Sequence, residues 1–206
     1  MDKLARKERE FKAHRAEILQ QAEKIFSAKG FHDVTMAEIA NASGFSIGSL
    51  YQFFTGKENL YTAMISEKMD LMYEQIREEV MTVQEIVDRI STLIGAHFQF
   101  VERNADLCRL LLRGENAPVS EIMVSLHQKM MDDHLNHLMF IENLLNTGLS
   151  DGFLRSLPTR DMALVLFGLI RTMSVDWMFF PADSSLYSKK DVVLDIFLKG
   201  VQRNEK

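Results

Sequence analysis

Cysteine is nearly missing from this 206-residue chain: Cys108 stands alone. An intramolecular disulfide and a cysteine-only metal cluster are therefore excluded. Within LCRLLL the lone thiol reads as a buried structural side chain rather than a redox sensor. Proline, with three residues, and glycine, with ten, leave little room for long loops. No apolar run reaches the roughly 18 residues of a membrane span, and no basic-apolar leader opens the sequence. A soluble, cytoplasmic protein with no membrane partner is expected. No segment alternates with the period of a strand. A Ser-His-Asp order, a glycine-rich phosphate loop after a strand and a carboxylate pair in a catalytic context are missing as well, so neither an enzyme nor a bound cofactor is expected.

Helical periodicity is there in place of strands, and the 47% of hydrophobic residues is enough to build a substantial core. Charge is unevenly spread about the net value of -5. Residues 1–60 carry nine Lys or Arg against eight Asp or Glu, and the remainder carries fifteen against twenty-one. The basic excess lies in Lys3, Arg6, Lys7, Arg9, Lys12 and Arg15, opposed by Asp2, Glu8 and Glu10. Such a segment is either a solvated helix extension or an arm that touches phosphate while the acidic body faces away.

The segment TMAEIANASGFSIGSLYQFFTGKENL, from Thr35 to Leu60, carries the most chemistry. Thr35 and Glu38 have the spacing of a capping box, predicting a helix from Met36 to about Ala42 with Met36, Ile39 and Ala40 facing inward. Gly44 follows Ser43 where a tight turn needs positive φ, and Ser46 caps a second helix to about Phe53. Two short helices about a glycine turn make a helix-turn-helix. Phe45, Leu50 and Phe53 or Phe54 suit the core, which leaves Ile47, Gly48, Ser49, Tyr51 and Gln52 on an outward face. That face suits a major groove: small residues allow close approach, apolar atoms meet thymine methyls and hydroxyls reach phosphate. Gly48 costs a helix interior about 1 kcal/mol relative to alanine, so close approach to another surface is a better reason for it than packing. A mobile helical hairpin in an ordinary α domain is the plainer alternative.

This segment resembles the DNA-binding region of the TetR (tetracycline-repressor-like) transcription regulators. Ile18, Leu19, Ala22, Phe26 and Gly30-Phe31 match the family's first-helix pattern, and Thr35, Ile39-Ala40, Ser43-Gly44, Gly48, Leu50-Tyr51, Phe54, Lys57-Glu58 and Leu60 follow at its spacing without a gap. The resemblance implies a dimeric, ligand-responsive repressor with an all-α fold of about nine helices: a three-helix DNA-binding domain over residues 1–60 and a helical effector-binding and dimerisation domain over 61–206. It further implies phosphate contacts from Thr35, Tyr51 and Lys57 and base contacts from Ile47, Gly48 and Tyr51, with Ser46, Ser49 and Gln52 on the same surface. Phe53 departs from the pattern, because histidine is frequent there and phenylalanine cannot donate to phosphate; its expected role is packing.

Beyond Leu60 helices are predicted from Lys57 through Ile76, from about Val83 to Glu102, from Ala105 to Leu112, from Pro118 to about Asn146 with Thr147-Gly148 as the stop, from Thr159 to about Phe180 and from about Ser188 to Val201. Thirteen methionines and fourteen phenylalanines suggest an adaptable apolar pocket for a small-molecule effector. Candidate wall residues are Met64, Met72, Phe98, Leu111, Met123, Leu126, Met130, Met131, Phe167 and Trp177. Polar contacts are expected from His97, His127, His134 and Arg171, with Arg113 and Asn116 as further candidates. An ordinary hydrophobic core explains any single one of these wall residues better.

His127, His134 and His137 share one helix face, but the first two stand two turns apart, about 10.5 Å by helical rise, so no metal site is expected. The segment Thr159 to Phe180 is apolar on most faces, as if buried by its own body and by a partner. Met162, Leu166, Ile170 and Met173, with Val193 and Phe197 of the last helix, are the candidate homodimer interface, the four-helix arrangement that the TetR resemblance implies. A dimer sets two recognition helices about one DNA turn, roughly 34 Å, apart, so the double-stranded operator should be a near-palindrome. A helical interaction module without DNA binding, and an activator of the same fold, are the alternatives.

Overall fold

In the computed structural model the described residues are 2–112, 121–180 and 184–201. They form nine α-helices and no strand, as the periodicity predicts. The helices are α1 (Asp2–Lys29), α2 (Met36–Ala42), α3 (Ile47–Phe53), α4 (Lys57–Met81), α5 (Ile86–Arg103), α6 (Ala105–Leu112), α7 (Glu121–Ser150), α8 (Thr159–Phe179) and α9 (Lys190–Val201), with a 3-10 turn at Leu186–Lys189 ahead of the last. Two compact units result, residues 1–69 with 106–130, and residues 70–105 with 131–206. The expected division fell at residue 60; in the structure α6 and the first turns of α7 pack with the first unit.

The first unit is built on α1. Ile18, Ala22 and Phe26, four residues apart, are fully buried and meet Val34, Ile39, Leu50, Leu60, Ile65 and Leu107 in one core. Phe26, Phe31 and Tyr61 close it with ring centroids 5.0 to 6.1 Å apart. Ion pairs Arg15–Glu67 and Lys68–Glu23 tie α1 to the middle of α4. Cys108 is half-buried here, and burial together with nearby Glu23 pushes its thiol up to about 11, as suits an inert side chain.

The second unit packs α5 against α8, α9 and the 3-10 turn. Ile90, Leu93, Ile94 and Phe98 form the buried stripe of α5. Glu102 Oε1 accepts from Ser185 Oγ at 2.6 Å and from the Tyr187 amide at 3.3 Å, which pins the 3-10 turn where a longer last helix was expected. α5 starts at Ile86 rather than Val83 because the amides of Thr82 and Val83 still bond the carbonyls of Glu79 and Val80. The stop expected at Thr147-Gly148 is also displaced. α7 continues to Ser150, Gly148 lies where a Cβ would stand 2.7 Å from Ile86 Cγ1, and the positive φ of 71° falls on Gly152. The expected helix start at Pro118 and the candidates Arg113 and Asn116 lie outside the described residues.

Candidate nucleic-acid interface and effector cavity

Local capping sets the helix-turn-helix. Thr35 Oγ1 accepts from the Glu38 amide at 3.2 Å and Ser46 Oγ accepts from the Ser49 amide at 3.1 Å, so both short helices begin at their predicted residues. The reciprocal half of the capping box is not made, because Glu38 pairs with Lys29 instead. Between the helices Gly44 has φ 74°, the Ser43 hydroxyl bonds Ile39 O at 2.7 Å, and the Phe45 amide reaches Ala40 O at 2.9 Å in the pattern of a left-handed helix stop.

Of α3 only Leu50 is fully withdrawn from solvent. Ile47 and Tyr51, one turn apart, are 47% and 52% exposed, and Gln52 and Gly48 are exposed with them. A Cβ built on Gly48 would have only Ser46 Oγ within 4 Å, at 3.9 Å. Nothing inside the chain asks for glycine there, which agrees with a backbone kept bare for a neighbouring surface. Phe53 packs as expected, stacked 4.6 Å from Phe11 of α1 and 6.2 Å from Phe45. The basic arm is the first turns of α1, an exposed helix in which Arg6–Glu10 and Glu8–Lys12 pair at 2.8 and 2.9 Å.

Lys57 is bonded inward. Its ammonium donates to the carbonyls of Phe31, His32 and Val34 at 2.8, 3.1 and 2.8 Å and stands 4.6 Å over the Phe31 ring. An ammonium has three protons, and all three are committed to the loop between α1 and α2. In this structure Lys57 therefore holds that loop rather than presenting a free ammonium to the outside. Sequence spacing could not reveal this, since the acceptors lie more than twenty residues away.

The expected effector wall is not brought together as one set. Met64, Met123 and Leu126 are buried in the core of the first unit, with Leu111 and Met130 packed against it. His127, beside them in sequence, bonds Met123 O at 3.0 Å. Met72 and Phe98 belong to the core of the second unit, Trp177 donates to Ser184 O at 3.0 Å, and Met131 and Arg171 face solvent.

Within the second unit a smaller group does converge. His137 lies at the centre, with ring centroids 4.6 Å from Tyr73, 4.8 Å from His97, 5.7 Å from Phe167 and 6.0 Å from Phe140; His134 stands 5.2 Å from Phe167. A cavity of about 300 Å³ between α4 and α7 is lined by Asp70, Tyr73, Glu74, Arg77, Asp133, Asn136 and His137. The expectation was an apolar pocket; this lining is polar. His137 was singled out from sequence; the lining residues that were missed, Asp70, Tyr73, Glu74 and Arg77 with Asn136, had a signal in spacing, since the first four repeat at helical intervals and Asn136 follows Asp133 by three.

Only 5% of His97 and 2% of His137 is exposed. Burial lowers His97 to about 4 against the opposing bond to Leu93, and lowers His137 to about 2 with added repulsion from His97, Arg77 and His134. His134 is lowered too, by burial and then by Arg171 and Arg160. His97 Nδ1 is 2.7 Å from Leu93 O, so this nitrogen carries the proton and Nε2 presents a bare lone pair. Nε2 of His97 and Nε2 of His137 are both buried with no hydrogen-bond partner. An orphan of this kind costs about 1–3 kcal/mol. Among the described residues no three His, Cys, Asp or Glu side chains are grouped to hold a metal ion.

Comparison with known proteins decides the assignment. Residues 18–64 match the model for bacterial regulatory proteins of the tetR family, and residues 65–200 match that for the C-terminal region of YsiA-like proteins. The chain belongs to the TetR family. It is a ligand-responsive, DNA-binding transcriptional regulator. It is 22% identical over 189 residues to the fatty acid metabolism regulator protein of Bacillus subtilis, covering 90% of this chain and 94% of that one. With the transcriptional repressor KstR2 of Mycobacterium tuberculosis it shares 25% over 168 residues, 80% of this chain and 81% of the relative. The B. subtilis regulator FadR, solved in complex with stearoyl-CoA, superposes with a TM-score of 0.75 at 21% identity over 90% of this chain and 98% of its own. For this TetR-family chain that likeness supports the all-helical fold and the placing of the helix-turn-helix in the matched region.

Proposed function

We propose that this TetR-family regulator is a dimeric repressor whose α3 helices enter successive major grooves of a near-palindromic operator. The observation that carries this is the outward face of α3, where Ile47 and Tyr51, 47% and 52% exposed, and Gly48, with only Ser46 Oγ within 4 Å of a built Cβ, stand on a helix fixed by Ser46. Ser49 and Gln52 flank the base-reading residues, while Thr35, Tyr51 and the basic turns of α1 supply phosphate contacts. In a bacterial cell such a protein works in the cytoplasm, where the DNA is.

The dimer reading changes in detail. Met162, Leu166, Ile170, Val193 and Phe197 are buried within the chain, so these five expected interface residues lie in its own core, and Met173 is half-buried. The opposite face of the same helices leaves Leu164, Val165 and Phe179 of α8 and Val192 and Ile196 of α9 in solvent. α8 is long and apolar enough to cross a membrane by length and composition. An apolar stripe shared with α9 is equally well covered by its own copy, and that is the interface proposed here.

The effector acts on the second unit, around the cavity between α4 and α7. The B. subtilis relative solved with stearoyl-CoA makes acyl thioesters the first class to test. Effector and operator must weaken one another's binding by the same factor. The test is a mobility shift with selected operator DNA at moderate salt and excess competitor. The protein should give a specific dimer complex, Tyr51→Ala should lose it, and an effective acyl thioester should release it. Binding that is unspecific, or indifferent to Tyr51→Ala, would refute the reading.

A further inference from the structure

The opening turns of α1 serve no core. From Ala5 to Glu17 no residue is buried, the packed stripe of the helix starts at Ile18, and the match to the family model starts there too. This length is nonetheless tied to the recognition helix. The Phe11 ring stacks on that of Phe53 at 4.6 Å, Phe53 meets Phe45 at 6.2 Å, and the His14 ring stands edge-on to Phe45 at 5.1 Å. Phe11 is still 46% exposed, so it is a strap laid on α3 from outside and not part of the core. One turn on, Arg15 turns into the first unit, its guanidinium 5.0 Å over the Phe54 ring and paired with Glu67 of α4.

Helix geometry tells which flank of α3 receives the strap. At about 100° per residue, Phe53 lies one turn after Ser49 and borders Gln52, while Ile47 and Tyr51 stand on the other side of Gly48. A helix seated in a major groove about 12 Å wide has a phosphate strand along each flank. With α3 so seated, α1 runs beside the strand on the Ser49 flank, and its charges decide what it does there. Arg6 is paired with Glu10, Lys12 with Glu8 and Arg15 with Glu67, and Arg9 donates to the Ala5 carbonyl. Lys7 alone of these cations has no partner among the described residues. It is exposed, and it stands one turn ahead of Phe11 on the same face of the helix.

We infer that the opening turns of α1 clamp the DNA backbone beside the reading helix. Lys7 binds a phosphate along the Ser49 flank of α3, and Phe11, stacked on Phe53, is the positioning residue that keeps it there. An ammonium meets phosphate as a point charge with no fixed geometry of its own, so its reach is set by whatever holds the helix that bears it. This deepens the DNA-binding reading and rests on it. It gives Phe53 a task beyond packing, since the ring that closes α3 also carries the clamp.

The test measures operator affinity of the full chain over a range of salt concentrations, with a thermal melt of every variant. Lys7→Gln should lower the slope of log affinity against log salt by about two, one phosphate for each protomer of a dimer. The loss should be alike on operators altered at any base, because phosphate carries no base identity. Phe11→Ala removes no charge, yet it should lower the slope nearly as much, and Phe11→Tyr, which keeps the ring, should restore it. The pair Lys7→Gln, Phe11→Ala should go no lower than Lys7→Gln alone. A merely structural Phe11 would weaken binding and leave the slope as it was, and that result would overturn its positioning role. Lys7→Gln changes an exposed side chain and decides the clamp even if Phe11→Ala fails to fold. Specific wild-type binding that is lost in Tyr51→Ala, together with an unchanged slope in Lys7→Gln, would overturn the clamp and leave the DNA-binding reading intact. Wild-type binding without specificity would refute that reading and the clamp with it.

Discussion

Gly48 separates folding from function more sharply than any other residue of α3. Its missing Cβ faces open space, so Gly48→Ala should stabilise the protein by about 1 kcal/mol through helix propensity while weakening operator binding by filling the gap to the bases. A thermal melt and an anisotropy titration on the same sample check both signs. Lys57 should behave in the opposite manner. Lys57→Met removes three charge-assisted bonds to the loop carbonyls and should cost about 2 kcal/mol of stability. The dependence of operator affinity on salt should stay unchanged, because no phosphate contact is lost. If the salt slope falls by about one, Lys57 reaches phosphate after all. The contrast shows what residue-level reading could reach. Thr35, Ser46 and Gly44 act on atoms within a few residues, so sequence alone placed the ends of α2 and α3. Lys57 acts on atoms far along the chain, and only the fold discloses its partners.

At the scale of the element, α8 is where periodicity ran out. A helix apolar on most faces gives no signal of which stripe turns inward, and five of the six interface residues chosen from sequence, all but Met173, are buried within the chain. The structure leaves Leu164 and Val165 of α8 and Val192 and Ile196 of α9 outside. Val165→Glu with Ile196→Glu should therefore yield monomers in sedimentation velocity with the helical content kept, whereas a charge at buried Leu166 should unfold the chain. An unchanged dimer from the double variant would place the interface elsewhere. The cavity between α4 and α7 escaped the sequence reading for a related reason. Each helix shows a polar stripe at helical spacing, but the rings of Tyr73, His97, His137 and Phe167 come from four helices, and their convergence is a property of the packed unit.

For the whole molecule, the buried histidines couple stability to acidity. Free histidine titrates near 6.5, while His97 is lowered to about 4 and His137 to about 2. Below 6.5 the unfolded chain takes up protons that the folded chain refuses, so this contribution is complete above that pH and is lost as pH falls from 6.5 through about 4. Groups facing the pair include Arg77, His134 and Tyr73. Melting temperature should fall across this window, and His97→Gln should flatten the fall; a parallel curve for the variant would assign the acid sensitivity to other groups. The same whole-molecule view governs DNA recognition. On the proposed reading, three outward residues per α3 would form a thin set of base contacts, and two copies at fixed separation would supply the rest of the affinity.

The most direct test is a base-resolved footprint of the protein on its operator, made with wild type and with the paired Ile47→Ala, Tyr51→Ala variant. The account predicts two protected major-groove patches related by a near-palindrome and centred about one DNA turn apart, both lost in a variant that melts like the wild type. A single patch, or protection that survives loss of Ile47 and Tyr51, would contradict it.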